Sequence, residues 1–348
     1  MSEKNQNQTL AAENTAAEND PKMVNGRKVL NVVGKRKIFY CISLCLIALF
    51  IVLSLTIKPK VAIEFKGGTI LTYTYEGDIA VKDVDKVISD TLDMDAVVTK
   101  GEDSQSDSKT IKISFSSSKG ISDDKQNKLK AALVEKFADN NIEVFETNDV
   151  EASNGMNFFF KCLVACIFAM VITIIYIAFR FRNIGGLSAG VFSVVALFHD
   201  MCMVYGCFVI CRFDISANFM AVMLTILGYS INATIIIYDR IRENERILGK
   251  KLTLDQLVNL SVTQTLGRSI HTTVTTVLAM ATVCIVCVIC GVSSIISFAF
   301  PLIIGMLAGV YSSNCIAPTL WVMWKDHSAK KAKTSGKKTA SSKQASRR

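Results

Sequence analysis

Long apolar blocks alternate with strongly charged stretches along this chain. Runs near 38–57, 157–179, 187–210, 216–238, 270–290 and 295–324 each approach the roughly 20 apolar residues that a helix needs to cross about 30 Å of hydrocarbon. The pattern predicts an α-helical polytopic membrane protein with six transmembrane helices. Pro301, Gly305 and Gly309 lie inside the last and longest run, and they predict one kinked or tilted helix rather than two crossings.

Between the first two runs the period changes. Residues 58–156 are the one polar region large enough for a domain. "VAIEFKGGTILTYTY" alternates as a strand interrupted by Gly67 and Gly68, and Val81, Val84, Val87, Ile88 and Leu92 then form a helical stripe. A short strand is expected at Ala96–Thr99 and another in "TIKISFS", which puts Ile111, Ile113 and Phe115 on one face. Ser122 is expected to cap a second helix carrying Leu129, Ala132, Leu133, Val134 and Phe137, with a last strand over Ile142–Phe145. The order βαββαβ is the split arrangement of an α+β ferredoxin-like sandwich. It offers no histidine and no cysteine, which favours a binding or leverage surface over a catalytic one.

Charge then orients the chain. Lys35, Arg36 and Lys37 precede the first run, Arg180 and Arg182 follow the second, and Arg240, Arg242, Arg246, Lys250 and Lys251 lie between the fourth and fifth. With six crossings all of them, and the basic tail, fall on one side, so both termini are expected in the cytoplasm and 58–156 outside it. The net charge of +9 is chiefly this topology signal. Segment 1–37, with its polar stretch at residues 2–20, and tail 325–348 are expected to be disordered; the tail can also touch anionic lipid or ribosomal RNA, and no specific nucleic-acid recognition is expected. Loop 239–269 is expected to be cytoplasmic. The first run is longer than the core of a signal peptide and no small-residue cleavage pattern follows it, so it reads as an uncleaved anchor.

The eleven cysteines sit in or beside the apolar runs and the outer loop has none, which predicts no disulfide framework. Cys284, Cys287 and Cys290 recur every three residues, but apolar surroundings favour packing over metal binding. No metal or other cofactor is expected.

The stretch "GYSINATIIIYDRIREN", Gly228 to Asn244, is the most specific feature. With "IEFKGGT", "YIAFRFR", "FHD", "SVTQTLGRSIHTTVTT" and "GVYSSNCIAP", in that order, it resembles the SecD/SecF family, and its single-domain loop and D-R-I-R-E-N ending resemble the SecF branch. That resemblance covers nearly everything from Arg36 to Trp324. It implies kinship with the resistance-nodulation-division transporters and a bacterial plasma-membrane location. It also implies a non-enzymatic auxiliary role in late protein export, with SecD as heterodimeric partner, the SecYEG channel, YidC and YajC as neighbours, and the proton or sodium gradient as the energy source.

One departure matters. The residue after Asn232 is usually aspartate in that family, and here it is Ala233, which cannot titrate. Arg268 matches the arginine that the family places near that carboxylate. The internal substitute is Asp200 beside His199, well inside the third run, as a proton carrier or as a hydrogen-bonded lock between helices. Acids of the SecD partner, or loss of coupling, are the other readings. Asn232, with Ser230 and Thr234, is expected to fasten the fourth helix to the fifth or to the SecD interface. Asp239, Arg240, Arg242, Glu243 and Asn244 form a charged cytoplasmic segment whose three-residue spacings predict ion pairs. Gly67 and Gly68 serve as a bend or as a hinge.

Two other classes are weaker. The three histidines leave no nucleophilic triad on a soluble surface, and "SGKKT" lacks the earlier glycine of a phosphate loop, where Lys331 stands. A half-unit of a small-molecule exporter of the same superfamily is the remaining alternative, although such exporters usually double the six-helix unit in one chain.

Overall fold

The computed structural model describes residues 23–24, 27–94, 96–103, 108–116, 121–150, 152–249, 251–289 and 293–345. The polar stretch 2–20 lies outside them. Among the described residues six helices are long and apolar enough to cross a membrane. They are α1 (Arg36–Ile57), α5 (Ala152–Arg180), α6 (Gly186–Cys211), α7 (Ala217–Leu248), α8 (Leu254–Ile289), and a composite of α9 (Ser293–Tyr311), a π-helical turn (Ser312–Ile316) and α10 (Ala317–Ala345).

Three boundaries differ from the sequence reading. The expected loop 239–269 is mostly helical, because α7 runs on to Leu248 and α8 begins at Leu254. Thr253 and Gln256 cap α8 reciprocally: the Thr253 amide donates to Gln256 Oε1 at 3.0 Å and the Gln256 amide to Thr253 Oγ1 at 3.3 Å. The tail is helical to Ala345, where Ala, Lys and Gln favour the helix and no proline follows Pro318. The irregularity of the last span lies at Ser312–Ile316; the helix continues through Pro301.

The polar region folds as β3 (Gly68–Tyr75), α3 (Val81–Leu92), β4 (Ala96–Asp103), β5 (Ser108–Ser116), α4 (Asp123–Lys136) and β6 (Glu143–Val150), numbered after the two-residue strands β1 (Met23–Val24) and β2 (Arg27–Lys28) and the one-turn helix α2 (Ile63–Lys66). The four long strands pair antiparallel in the order β4-β5-β3-β6. Their inner face and the two helices bury Leu71, Tyr73, Tyr75, Ile111, Ile113, Phe115, Val84, Ile88, Leu129 and Leu133 in one core. Val81 and Val134 are instead exposed, each at the edge of its helical stripe. Ser122 occupies the N-cap position of α4 without a side-chain cap bond; Gln126 reaches back instead, donating to the Ile121 carbonyl at 2.8 Å. The first half of the expected first strand is the helix α2, and the strand starts only after Gly67 and Gly68, at φ 81° and 150°.

Burial pushes the Tyr73 hydroxyl up to about 12. Its folded form therefore keeps a proton that the unfolded chain releases near the ordinary tyrosine range, so the domain's stability holds below that range and falls as pH rises toward 12. Tyr73→Phe is expected to remove this part of the alkaline loss, read as the pH dependence of β-sheet melting.

The domain is rooted in the bundle. The Ala62 amide donates to the Ile215 carbonyl at 3.0 Å and the Ile215 amide to the Lys60 carbonyl at 2.8 Å, while Arg212 donates to the Ile57 carbonyl at 2.8 Å. Phe65 stacks on Phe158 and meets Phe159 edge-on at the start of α5. At the other end of α1, the Val33 amide donates to Asn259 Oδ1 and the Leu30 amide to Thr263 Oγ1, both at 3.0 Å. That end of α1, the end of α5 at Arg180, the end of α7 and the start of α8 therefore share one face of the bundle.

Candidate ion-coupling site

Helix α6 carries His199 and Asp200 into the centre of the bundle, where the Asp200 carboxylate is fully buried. Two other elements close on it, and its neighbour on α6 joins them. Ser230 of α7 donates to Asp200 Oδ2 at 2.6 Å, Ser312 of the π-helical turn donates to the same oxygen at 2.8 Å, and His199 Nδ1 lies 3.1 Å from Oδ1. One turn along α7, the Thr234 and Ser313 hydroxyls meet at 2.8 Å, one donating to the other, and both lie 3.2 Å from the Ser230 carbonyl, which accepts the remaining proton. Gly309 makes the approach possible, since a Cβ there would stand 3.1 Å from the Ser230 side chain and 3.6 Å from Asp200 Oδ2. The π-helical turn brings Ser312 and Ser313 together onto this site, as single-turn insertions of this kind do at functional sites elsewhere. A buried carboxylate satisfied by two hydroxyls and an imidazole can hold or release one proton without leaving a bare charge in lipid. Ser312 and Ser313 were the residues that composition did not single out. Their signal is two adjacent hydroxyls in an otherwise apolar run.

The other expected site residues divide between two places. Ser230 and Thr234 face Asp200, whereas Asn232 faces outward, exposed, and makes no hydrogen bond among the described residues. It does not fasten α7 to α8; Tyr229 does, through a 2.9 Å contact between its hydroxyl and that of Thr273. Gly228 opens on the same face, with no atom within 4 Å of the place a Cβ would take. Arg268 is also exposed and forms no ion pair among the described residues, so it does not join the Asp200 cluster. At the end of α7, Arg242 meets Asp239 at 2.6 Å and Arg240 meets Glu243 at 2.7 Å. Asn244 is buried there, donating to Ser261 Oγ and Gln264 Oε1, both at 2.8 Å, and Arg240 donates to the same Gln264 oxygen at 2.6 Å. The charged segment thus clamps α7 to α8.

The family model for "Protein export membrane protein SecD/SecF, C-terminal" matches residues 129–327. The chain belongs to the SecD/SecF family. It is 30% identical to the protein translocase subunit SecF of Sebaldella termitidis over 316 residues, covering 90% of this chain and 97% of that one. It is 31% identical to the protein translocase subunit SecDF of Bacillus subtilis over 303 residues, but these span only 38% of that longer protein. A match to the SecF of Alicyclobacillus acidocaldarius, 40% identical over 183 residues, spans 56% of it. Among solved structures, a Thermus SecDF described as a translocon-associated membrane protein superposes with a TM-score of 0.70 at 27% identity. The overlap covers 90% of this chain and 41% of that SecDF, so the SecD/SecF-family member described here corresponds to less than half of the two-part protein.

Proposed function

We propose that this chain is the SecF half of an ion-coupled protein-export device in the bacterial plasma membrane. It is an auxiliary subunit, not an enzyme, and works with SecD beside the SecYEG channel, with YidC and YajC as neighbours. The observation that carries the coupling is the buried Asp200–His199 pair held by Ser230 and Ser312. This pair takes over the proton-binding role that Ala233 cannot perform. A carboxylate paired with an imidazole suits a proton, because binding needs no other ligand.

In this reading the β3–β6 module is a ferredoxin-like domain on the outer side of the membrane and acts as the moving part. Support comes from its root, which is tied to the α6–α7 connection on one side of Gly67 and Gly68 and free to form a sheet on the other. The basic clusters gathered at the opposite end of the bundle support a cytoplasmic position for both termini by the positive-inside rule. The face formed by Gly228, Asn232 and Arg268 receives SecD, where small side chains allow close approach and the amide and guanidinium find partners that they do not have among the described residues of this chain.

Arg268→Met tests that face. It is expected to slow secretion several-fold, measured by pulse-chase export in cells carrying the variant, and to weaken copurification with SecD. Normal export with full copurification would show that Arg268 has neither role.

A further inference from the structure

The Asp200 pair needs a way out to water, and a line of polar side chains runs from it toward α1, away from the α7–α8 face. His199 is 94% buried if its 6% relative exposure is subtracted from the whole, and its Nε2 has no partner among the described residues. Its ring lies against that of Tyr311, centroids 5.8 Å apart. The Tyr311 hydroxyl, at the far end of that ring, receives a 3.3 Å hydrogen bond from Ser43 of α1 and donates to the Phe39 carbonyl at 2.8 Å. One turn nearer the start of α1, Tyr40 donates to Thr319 Oγ1 at 2.9 Å. Ser43 is seven residues from the first residue of α1, roughly 10 Å at the rise of an α-helix. The mouth of this seam, at Arg36, is the end of the bundle that carries the basic clusters.

An unpartnered ring nitrogen beside a run of hydroxyls is the arrangement a proton relay needs. The hydroxyls are amphoteric, each able to accept one proton while giving up another. Among the described residues nothing comparable links Asp200 to Arg268 or Asn232, which are exposed.

We propose that Asp200 exchanges its proton with cytoplasmic water along α1, by way of His199, the Tyr311 hydroxyl and Ser43. The proposal rests on Asp200 being the ion carrier. On discharge the carboxylic proton passes to His199 Nδ1 while the Nε2 proton leaves for Tyr311 Oη. The Tyr311 proton moves on to Ser43 Oγ, and the Ser43 proton passes to water. Each group gains one proton and loses one, so only Asp200 changes its charge. For this transfer the two hydroxyls first turn about their C–O bonds, Tyr311 from the Phe39 carbonyl to Ser43 Oγ and Ser43 from Tyr311 to water; afterwards Ser43 again points at Tyr311, and Tyr311 turns back to Phe39, which restores the observed order. The gap between the His199 nitrogen and Oη is bridged by one water.

The test uses the full chain copurified with SecD and reconstituted in vesicles carrying a pH-sensitive dye, with proton flux driven by an imposed gradient. Tyr311→Phe and Ser43→Ala are expected to lower flux on the order of 10²-fold, as loss of a positioned proton-transfer group does. Ser43→Thr, which restores a hydroxyl, is expected to recover it, whereas a merely structural Ser43 would leave flux unchanged in Ser43→Ala. Asp200→Asn is run alongside. If it abolishes flux while Tyr311→Phe and Ser43→Ala conduct as the parent does, the route is wrong and the carrier stands. If Asp200→Asn itself conducts normally, both fail.

Discussion

Asp200→Asn is expected to abolish gradient-stimulated export, lowering its rate on the order of 10²-fold or more while the complex still assembles. The substitution separates the two roles open to this residue. An asparagine oxygen can still accept from Ser230 and Ser312, which donate to Asp200 Oδ2 at 2.6 and 2.8 Å, so a lock between α6, α7 and the π-helical turn survives it. A proton carrier does not, because the amide has no titration near neutral pH. Asp200→Leu gives the complementary result. It strips partners from Ser230, Ser312 and His199 at once, and each stranded buried group costs about 1–3 kcal/mol, so this variant is expected to lose both assembly and export. Export and detergent-resistant yield of the SecD complex, measured together, distinguish the cases. Full export in Asp200→Asn would reduce the residue to a lock.

Phe115→Ala is expected to have the largest effect on stability outside the membrane. Phe115 is fully buried near the end of β5, in one core with Ile113, Ile88 and Leu129. Removing a buried phenylalanine from such a core costs about 3–5 kcal/mol, a large fraction of what a domain of this size has. The module would then open often enough for limited proteolysis between α3 and β6 while the membrane helices stay intact. If the module is the lever, export falls in parallel with the loss of protection. Protease-resistant Phe115→Ala would mean that the core tolerates the cavity, and a protease-sensitive variant with normal export would remove the module from the pulling step.

Much of this architecture was legible in the sequence because lipid selects for composition. Six uninterrupted apolar runs can hardly be anything else, and the two-residue alternation of "TIKISFS" marks β5 as half-buried. What was missed follows from the same cause. Hydropathy reports which residues touch lipid, so it ended the fourth run at Tyr238 although α7 continues to Leu248, clamped there to α8 by Asn244, Ser261 and Gln264. The beginning of α8 did have a local signal, Thr253 followed three residues later by Gln256, which was hidden inside a charged stretch.

Of the two roles expected of Asn232, the link to α8 is not the one it makes, for a different reason. A helix that is apolar on all sides has no sequence-visible inner face, and Ser230 and Thr234 point inward while Asn232, between them, points out. Asp200 was legible because a carboxylate among apolar residues has few uses. Its partner Ser312, and Ser313 beside it, were not, because the π-helical turn brings them to the site, and the positions of Pro301, Gly305 and Gly309 do not mark that turn.

The account depends on the β3–β6 module and the charged end of α7 lying on opposite sides of one membrane. Accessibility of single cysteines in an otherwise cysteine-free chain tests this directly, using Lys128→Cys on the exposed face of α4 and Arg246→Cys near the end of α7. A membrane-impermeant maleimide applied to cells whose plasma membrane is intact is expected to label Lys128→Cys fully, and Arg246→Cys only after permeabilisation. Labelling of both positions from the same side, or of Arg246→Cys alone from outside, would contradict it.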